Sequence, residues 1–155
     1  MKKVLSLLIL LLFCIMGAMA KGDKLPKYDI TGAGSGKEGT ILVKVYVYEK
    51  KVSDEDLKRV AVHGVVFRGC TGNESGARQP AMAHATAEAD NATFCTEFFA
   101  ADGQCQNYAT VVAGSYDRVK TAKGLKVGAI VQVDKTSLRK ALEKAGVVRS
   151  LSSGF

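Results

Sequence analysis

Ile41 to Tyr48 (ILVKVYVY) alternates without a break, with Ile41, Val43, Val45 and Val47 on one side and Leu42, Lys44, Tyr46 and Tyr48 on the other. Period-two alternation of β-branched and aromatic residues marks a strand with one face in a core and one facing outward. A chain built around such a strand must supply partner strands and a cover for the valine face. Two later stretches offer the partners: Tyr108 to Ala113 (YATVVA) and Lys126 to Val133 (KVGAIVQV). Both read as strands, and the polar segment 114–125 between them predicts an antiparallel hairpin with a long basic tip.

The covering elements are predicted to be helices. Ser53 stands three residues before Asp56 in a capping-box arrangement and opens a helix over 54–63, with Gly64 as its left-handed stop. Val65-Val66-Phe67 then reads as a short buried strand. Within 84–101 the pairs Phe94/Phe98 and Cys95/Phe99 are spaced i,i+4 and give a helix an apolar stripe over its C-terminal half. Asp134 caps a last helix over 135–145, with Leu138, Ala141, Leu142 and Ala145 on its inner side and Gly146 closing it. The order predicts an α+β single domain, a mixed or antiparallel sheet of about four strands with helices packed on one face. A ferredoxin-like arrangement with an inserted helix is one topology consistent with that order.

The N-terminus implies export. Lys2 and Lys3 precede a run of about 13 apolar residues, and Gly17-Ala18-Met19-Ala20 ends it with small residues, so residues 1–20 are expected to be a cleavable signal peptide. The run is shorter than the roughly 20 residues a membrane-spanning helix needs. A periplasmic or secreted product is the expectation, and the Lys-Lys, Leu-rich leader has a bacterial character. Residues 21–40, with five glycines, read as a flexible leader to a globular domain over 41–155. Thr31 to Lys37 (TGAGSGK) imitates a phosphate-binding loop, but it lacks the first glycine and the final Ser or Thr, and a strand follows where a helix is required.

Charge is unevenly spread. The formal +7 falls to +5 once Lys2 and Lys3 are removed, and Asp117 to Arg149 holds nine basic against three acidic residues. This predicts a basic surface that attracts anions. Tyr116, Arg118, Lys120, Lys123 and Lys126, in or beside the hairpin tip, are the candidate ligand-binding residues. An anionic glycan, a lipid or an envelope protein is the expected kind of partner. The modest charge and the lack of a recognised module argue against nucleic acid.

Three cysteines remain in the mature chain: Cys70, Cys95 and Cys105. Cys95 and Cys105 are the candidate disulfide, closing a loop of about ten residues, while a buried thiol at Cys95 accounts for the sequence equally well. Cys70 with His63 is the candidate catalytic pair of an alternative reading, a thiol-dependent hydrolase or redox enzyme. Two histidines 21 residues apart match no metal-ligand spacing, and no cofactor motif is present. The leading expectation is a non-catalytic binding or accessory domain.

The segments AVHGVVFRG (61–69), AGSYDRVKTAKGLKVGAIVQVDK (113–135) and LRKALEKAGVVRSLSSGF (138–155) resemble a group of small exported bacterial proteins of unknown function. The resemblance covers most of the mature chain. It implies an exported single domain and carries over no catalytic residue.

Overall fold

The structure, a computed structural model, describes residues 24–72 and 78–151. The expected signal peptide, residues 1–20, lies outside them. In chain order the elements are β1 (Tyr28–Ser35), β2 (Thr40–Val47), α1 (Asp54–His63), a π-helical turn (Gly64–Arg68), α2 (Ala87–Asp90), α3 (Ala92–Phe98), a 3-10 turn (Gln104–Tyr108), β3 (Ala109–Val111), β4 (Asp117–Thr121), β5 (Gly124–Asp134) and α4 (Lys135–Lys144).

The sheet is antiparallel throughout. Its order is β1-β2-β5-β3, and β4 pairs with the first half of β5 on the same edge that β3 occupies further along. The alternation in β2 sets the register: Val43 pairs with Val131, Val45 with Ala129 and Val47 with Val127, so one face is a continuous aliphatic surface. Leu57, Val60 and Ala61 of α1 and Leu138 and Leu142 of α4 join Val43, Val45, Val47, Ala129 and Val131 in one buried core. The architecture is α+β, as expected.

Ser115 explains why the long hairpin splits into β3 and β4. Its hydroxyl accepts from the Ile130 N–H at 2.9 Å and donates to the Val112 carbonyl at 2.6 Å, standing in for a backbone rung where the edge strand bends. The expected basic tip is therefore itself strand: β4 runs back along β5 to a tight turn at Ala122-Lys123.

Two expectations about the first half of the chain are corrected. Residues 28–35, placed by sequence in a flexible leader, form β1, and Tyr28 is buried. Tyr28, Ile30 and Gly32 alternate onto the core face opposite Val47, Val45 and Val43, a short period-two signal masked by the glycines beside it. The second correction concerns Gly64, which is right-handed helical at φ −61° and stops nothing. A Cβ there would meet Ile30 Cδ1 at 2.6 Å, so this glycine allows the end of α1 to approach β1. Val65 and Val66 are buried in helical turns rather than a strand, and Gly69 at φ +68° ends the run. With β1 and β2 a direct hairpin and 64–68 helical, the split βαβ of a ferredoxin-like fold is absent from the described residues.

The helix expected over 84–101 is divided at Asn91, whose backbone leaves helical geometry at φ −119°. The capping box at α1 forms as predicted: Asp56 N–H donates to Ser53 Oγ at 3.1 Å, and Ser53 N–H to Asp56 Oδ2 at 3.3 Å. Asp134 caps α4 through the Ser137 N–H at 2.9 Å. Among the described residues no helix is long and apolar enough to cross a membrane.

Candidate functional site

β4 and the start of β5 form a two-stranded arm. Residues 124–126 pair with β4 alone, whereas β2 begins its pairing at Val127. Arg118 lies opposite Val127 and Lys120 opposite Leu125, so both cations share one face of the arm, about 7 Å apart along the strand. Lys123 occupies the turn. All three are exposed, and none has an acidic partner among the described residues. At the root of the arm, Arg118 and Lys50 flank a cavity of about 420 Å3 that also takes in Val52, Tyr116, Asp117 and Val127. The site therefore has the cations of Lys50 and Arg118 and an apolar and aromatic floor, with one carboxylate, Asp117, that Lys44 and Tyr46 engage.

Tyr116 and Lys126 have other attachments. The Tyr116 hydroxyl donates to Asp54 at the start of α1, and that carboxylate pushes the phenol up to about 12. Tyr116 thus offers a fixed ring rather than a free hydroxyl. Lys126 lies opposite Val119 on the other face of the arm, 3.7 Å from Asp29 and 4.3 Å from the Tyr46 ring centroid. It belongs to a polar array on the outer face of the sheet, where Lys44 reaches Asp117 at 3.0 Å and Tyr46 donates to the same carboxylate at 2.8 Å. Burial alone would raise the Asp117 carboxyl, but these two bonds hold it below the usual carboxylate range. Gly128 leaves room for Tyr46 to lie flat across the array, since a Cβ there would stand 2.5 Å from the ring. The five candidate residues are thus two groups: Tyr116, Arg118, Lys120 and Lys123 at the arm, and Lys126 apart from them.

His63 closes α1 inside the core. Its Nδ1 lies 2.6 Å from the Tyr28 hydroxyl and its Nε2 2.9 Å from Glu88 Oε1. The arrangement that satisfies every atom has Tyr28 donating to Nδ1 and a neutral imidazole donating from Nε2 to the carboxylate. Burial lowers the imidazole's proton affinity, and the hydrogen bond to Glu88 opposes that only in part. Tyr28 is raised chiefly by its own burial, so it stays a donor. The rings of Phe67 and Phe99 pack on the imidazole at 5.1 and 5.2 Å between centroids.

The cysteines correct two further expectations. Cys70 lines a cavity of about 500 Å3 with Asp29, Arg68 and Gln79, whereas His63 lines a separate one of about 670 Å3. Both imidazole nitrogens are engaged by Tyr28 and Glu88, so His63 is not turned to Cys70 as a base; the Cys70 thiol is pushed up by burial, with the Gln79 backbone and Lys135 opposing. The Cys70–His63 catalytic pair is not assembled. Cys95 and Cys105 are separate buried thiols rather than a disulfide. Cys95 faces the His63 cavity from α3, while Cys105 is fully buried in the 3-10 turn, where burial pushes its thiol up to about 11. Among the described residues no group of three or more His, Cys, Asp or Glu side chains could hold a metal ion.

No family model, no curated protein and no solved structure matches this chain.

Sequence reasoning missed Tyr28, Arg68 and Glu88, which join His63 around one cavity. They lie 35, 5 and 25 residues from it in the chain: Tyr28 in the expected leader, Arg68 just after the strand expected at 65–67, and Glu88 in the segment expected to be a helix. Only the short Tyr28/Ile30 alternation could have drawn the first of them into the fold.

Proposed function

We propose that this chain is an exported, non-catalytic binding domain that uses the β4–β5 arm to hold an anionic glycan at the cell envelope. The observation that carries the reading is the arm itself: Arg118, Lys120 and Lys123 stand exposed with no carboxylate partner among the described residues, beside a cavity with an apolar floor. Exposed cations left unneutralised attract acidic groups, and a guanidinium recognises a carboxylate or sulfate through paired N–H donors. The floor of Val52, Val127 and the Tyr116 ring suits the apolar face of a sugar, which favours an acidic glycan over a bare inorganic anion. Export rests on the leader read from the sequence and on the resemblance to small exported proteins. The thiol-enzyme alternative draws no support from His63, whose two ring nitrogens are held by Tyr28 and Glu88.

Calorimetric titration of residues 21–155 with an oligogalacturonate is the test. The Arg118→Gln, Lys120→Gln, Lys123→Gln triple variant is expected to bind at least about tenfold more weakly, the effect of losing one charge-assisted contact of roughly 1.5 kcal/mol. Equal affinity in the variant, or binding only to phosphatidylglycerol vesicles, would overturn the glycan reading.

A further inference from the structure

The cavity above Tyr28 and His63 has the makings of a second site unrelated to the arm. Its volume, about 670 Å3, falls within the roughly 300 to 1,000 Å3 of small-molecule sites. Leu25, Pro26 and Phe99 give it an apolar wall, and Lys24 and Arg68 set two cations against the one carboxylate of Glu88, while Lys27 lines it with its ammonium 5.6 Å from the Tyr48 ring centroid. Arg68 is the organised one. Its guanidinium carbon lies 4.1 Å over the Tyr28 ring centroid and one of its nitrogens donates to the Tyr28 carbonyl at 3.3 Å, so the planar fork is held flat at the cavity wall.

The floor cannot compete for a ligand's acid group, because both nitrogens of His63 are already engaged. Glu88 repels an anion from its own end of the cavity and thereby sets a direction. We propose that this cavity binds a small amphipathic acid, a medium-chain carboxylate, with its acid group on Arg68 and its chain along Leu25, Pro26 and Phe99. A cationic amphiphile would meet Lys24 and Arg68, and an inorganic anion would leave the apolar wall uncovered.

The probe is octanoate, with octylamine and inorganic phosphate as controls, titrated calorimetrically into residues 21–155. Octanoate should bind saturably while both controls fail. Arg68→Gln should weaken it by about tenfold or more. Ala92→Trp narrows the cavity from its exposed rim without touching Arg68, and should also abolish binding; it keeps the test open if Arg68→Gln misfolds. The triple glutamine variant of the arm should bind octanoate as the parent does, which separates this site from the glycan proposal. Octanoate binding unchanged by both cavity variants, no octanoate binding at millimolar concentration, or binding of phosphatidylglycerol vesicles in its place would each overturn the inference.

Discussion

The polar groups around His63 and those on the β4–β5 arm are organised in opposite ways. His63 is 6% exposed and spends both ring nitrogens on partners from β1 and α2. Arg118, Lys120 and Lys123 are exposed, and no acidic group among the described residues answers them. A buried polar group must be satisfied internally because an unmade hydrogen bond there costs about 1–3 kcal/mol. An exposed cation is satisfied by water at almost no cost, so it can be left unpaired until a ligand arrives. The first cluster therefore acts through stability, the second is the proposed binding surface, and substitutions should separate the two.

The largest effect is expected from His63→Ala. It removes a ring packed against Tyr28, Phe67 and Phe99 and strands the Tyr28 hydroxyl, so urea unfolding should show a loss on the order of 3 kcal/mol with oligogalacturonate binding intact. Tyr28→Phe keeps the packing and deletes one hydrogen bond, and should cost about 1–2 kcal/mol in the same assay. The pH response comes next. Burial depresses the folded-state proton affinity of His63, so the unfolded chain binds the proton more readily. The His63 contribution should be fully present above the unfolded imidazole value of about 6.5 and lost as pH falls from there toward the lower folded value. Subtracting the stability–pH curve of His63→Gln from that of the parent should isolate this loss as a difference that grows as pH rises toward about 6.5; a difference that shrinks with rising pH would give the wrong sign. The smallest effect on stability belongs to the arm: the triple glutamine variant should stay within about 0.5 kcal/mol of the parent.

The two regions were also unequally legible in the sequence. The arm could be found because its cations are close together in the chain and flanked by strand patterns, so local reading put Arg118, Lys120 and Lys123 on one tip. Lys126, grouped with them by local reading, stands on the other face of the arm, 3.7 Å from Asp29 of β1, a separation that only the strand pairing reveals. The capped helices α1 and α4 were readable for a similar reason, as a capping box is a pattern four residues long. The His63 cluster escaped because its members come from β1, α1 and α2, and only tertiary packing unites them. Val65-Val66-Phe67 shows the same limit: a short apolar run has no period, and Gly64 let the helix continue where a stop was expected.

The account rests on the arm being an electrostatic binding surface, and a salt titration addresses that most directly. Calorimetric affinity for oligogalacturonate, followed from about 0.05 to about 0.5 M sodium chloride, should fall steadily for the parent chain as the attraction is screened. The triple glutamine variant should bind weakly with a shallow salt response. A parent affinity indifferent to salt, or a variant with the parent's slope, would contradict it.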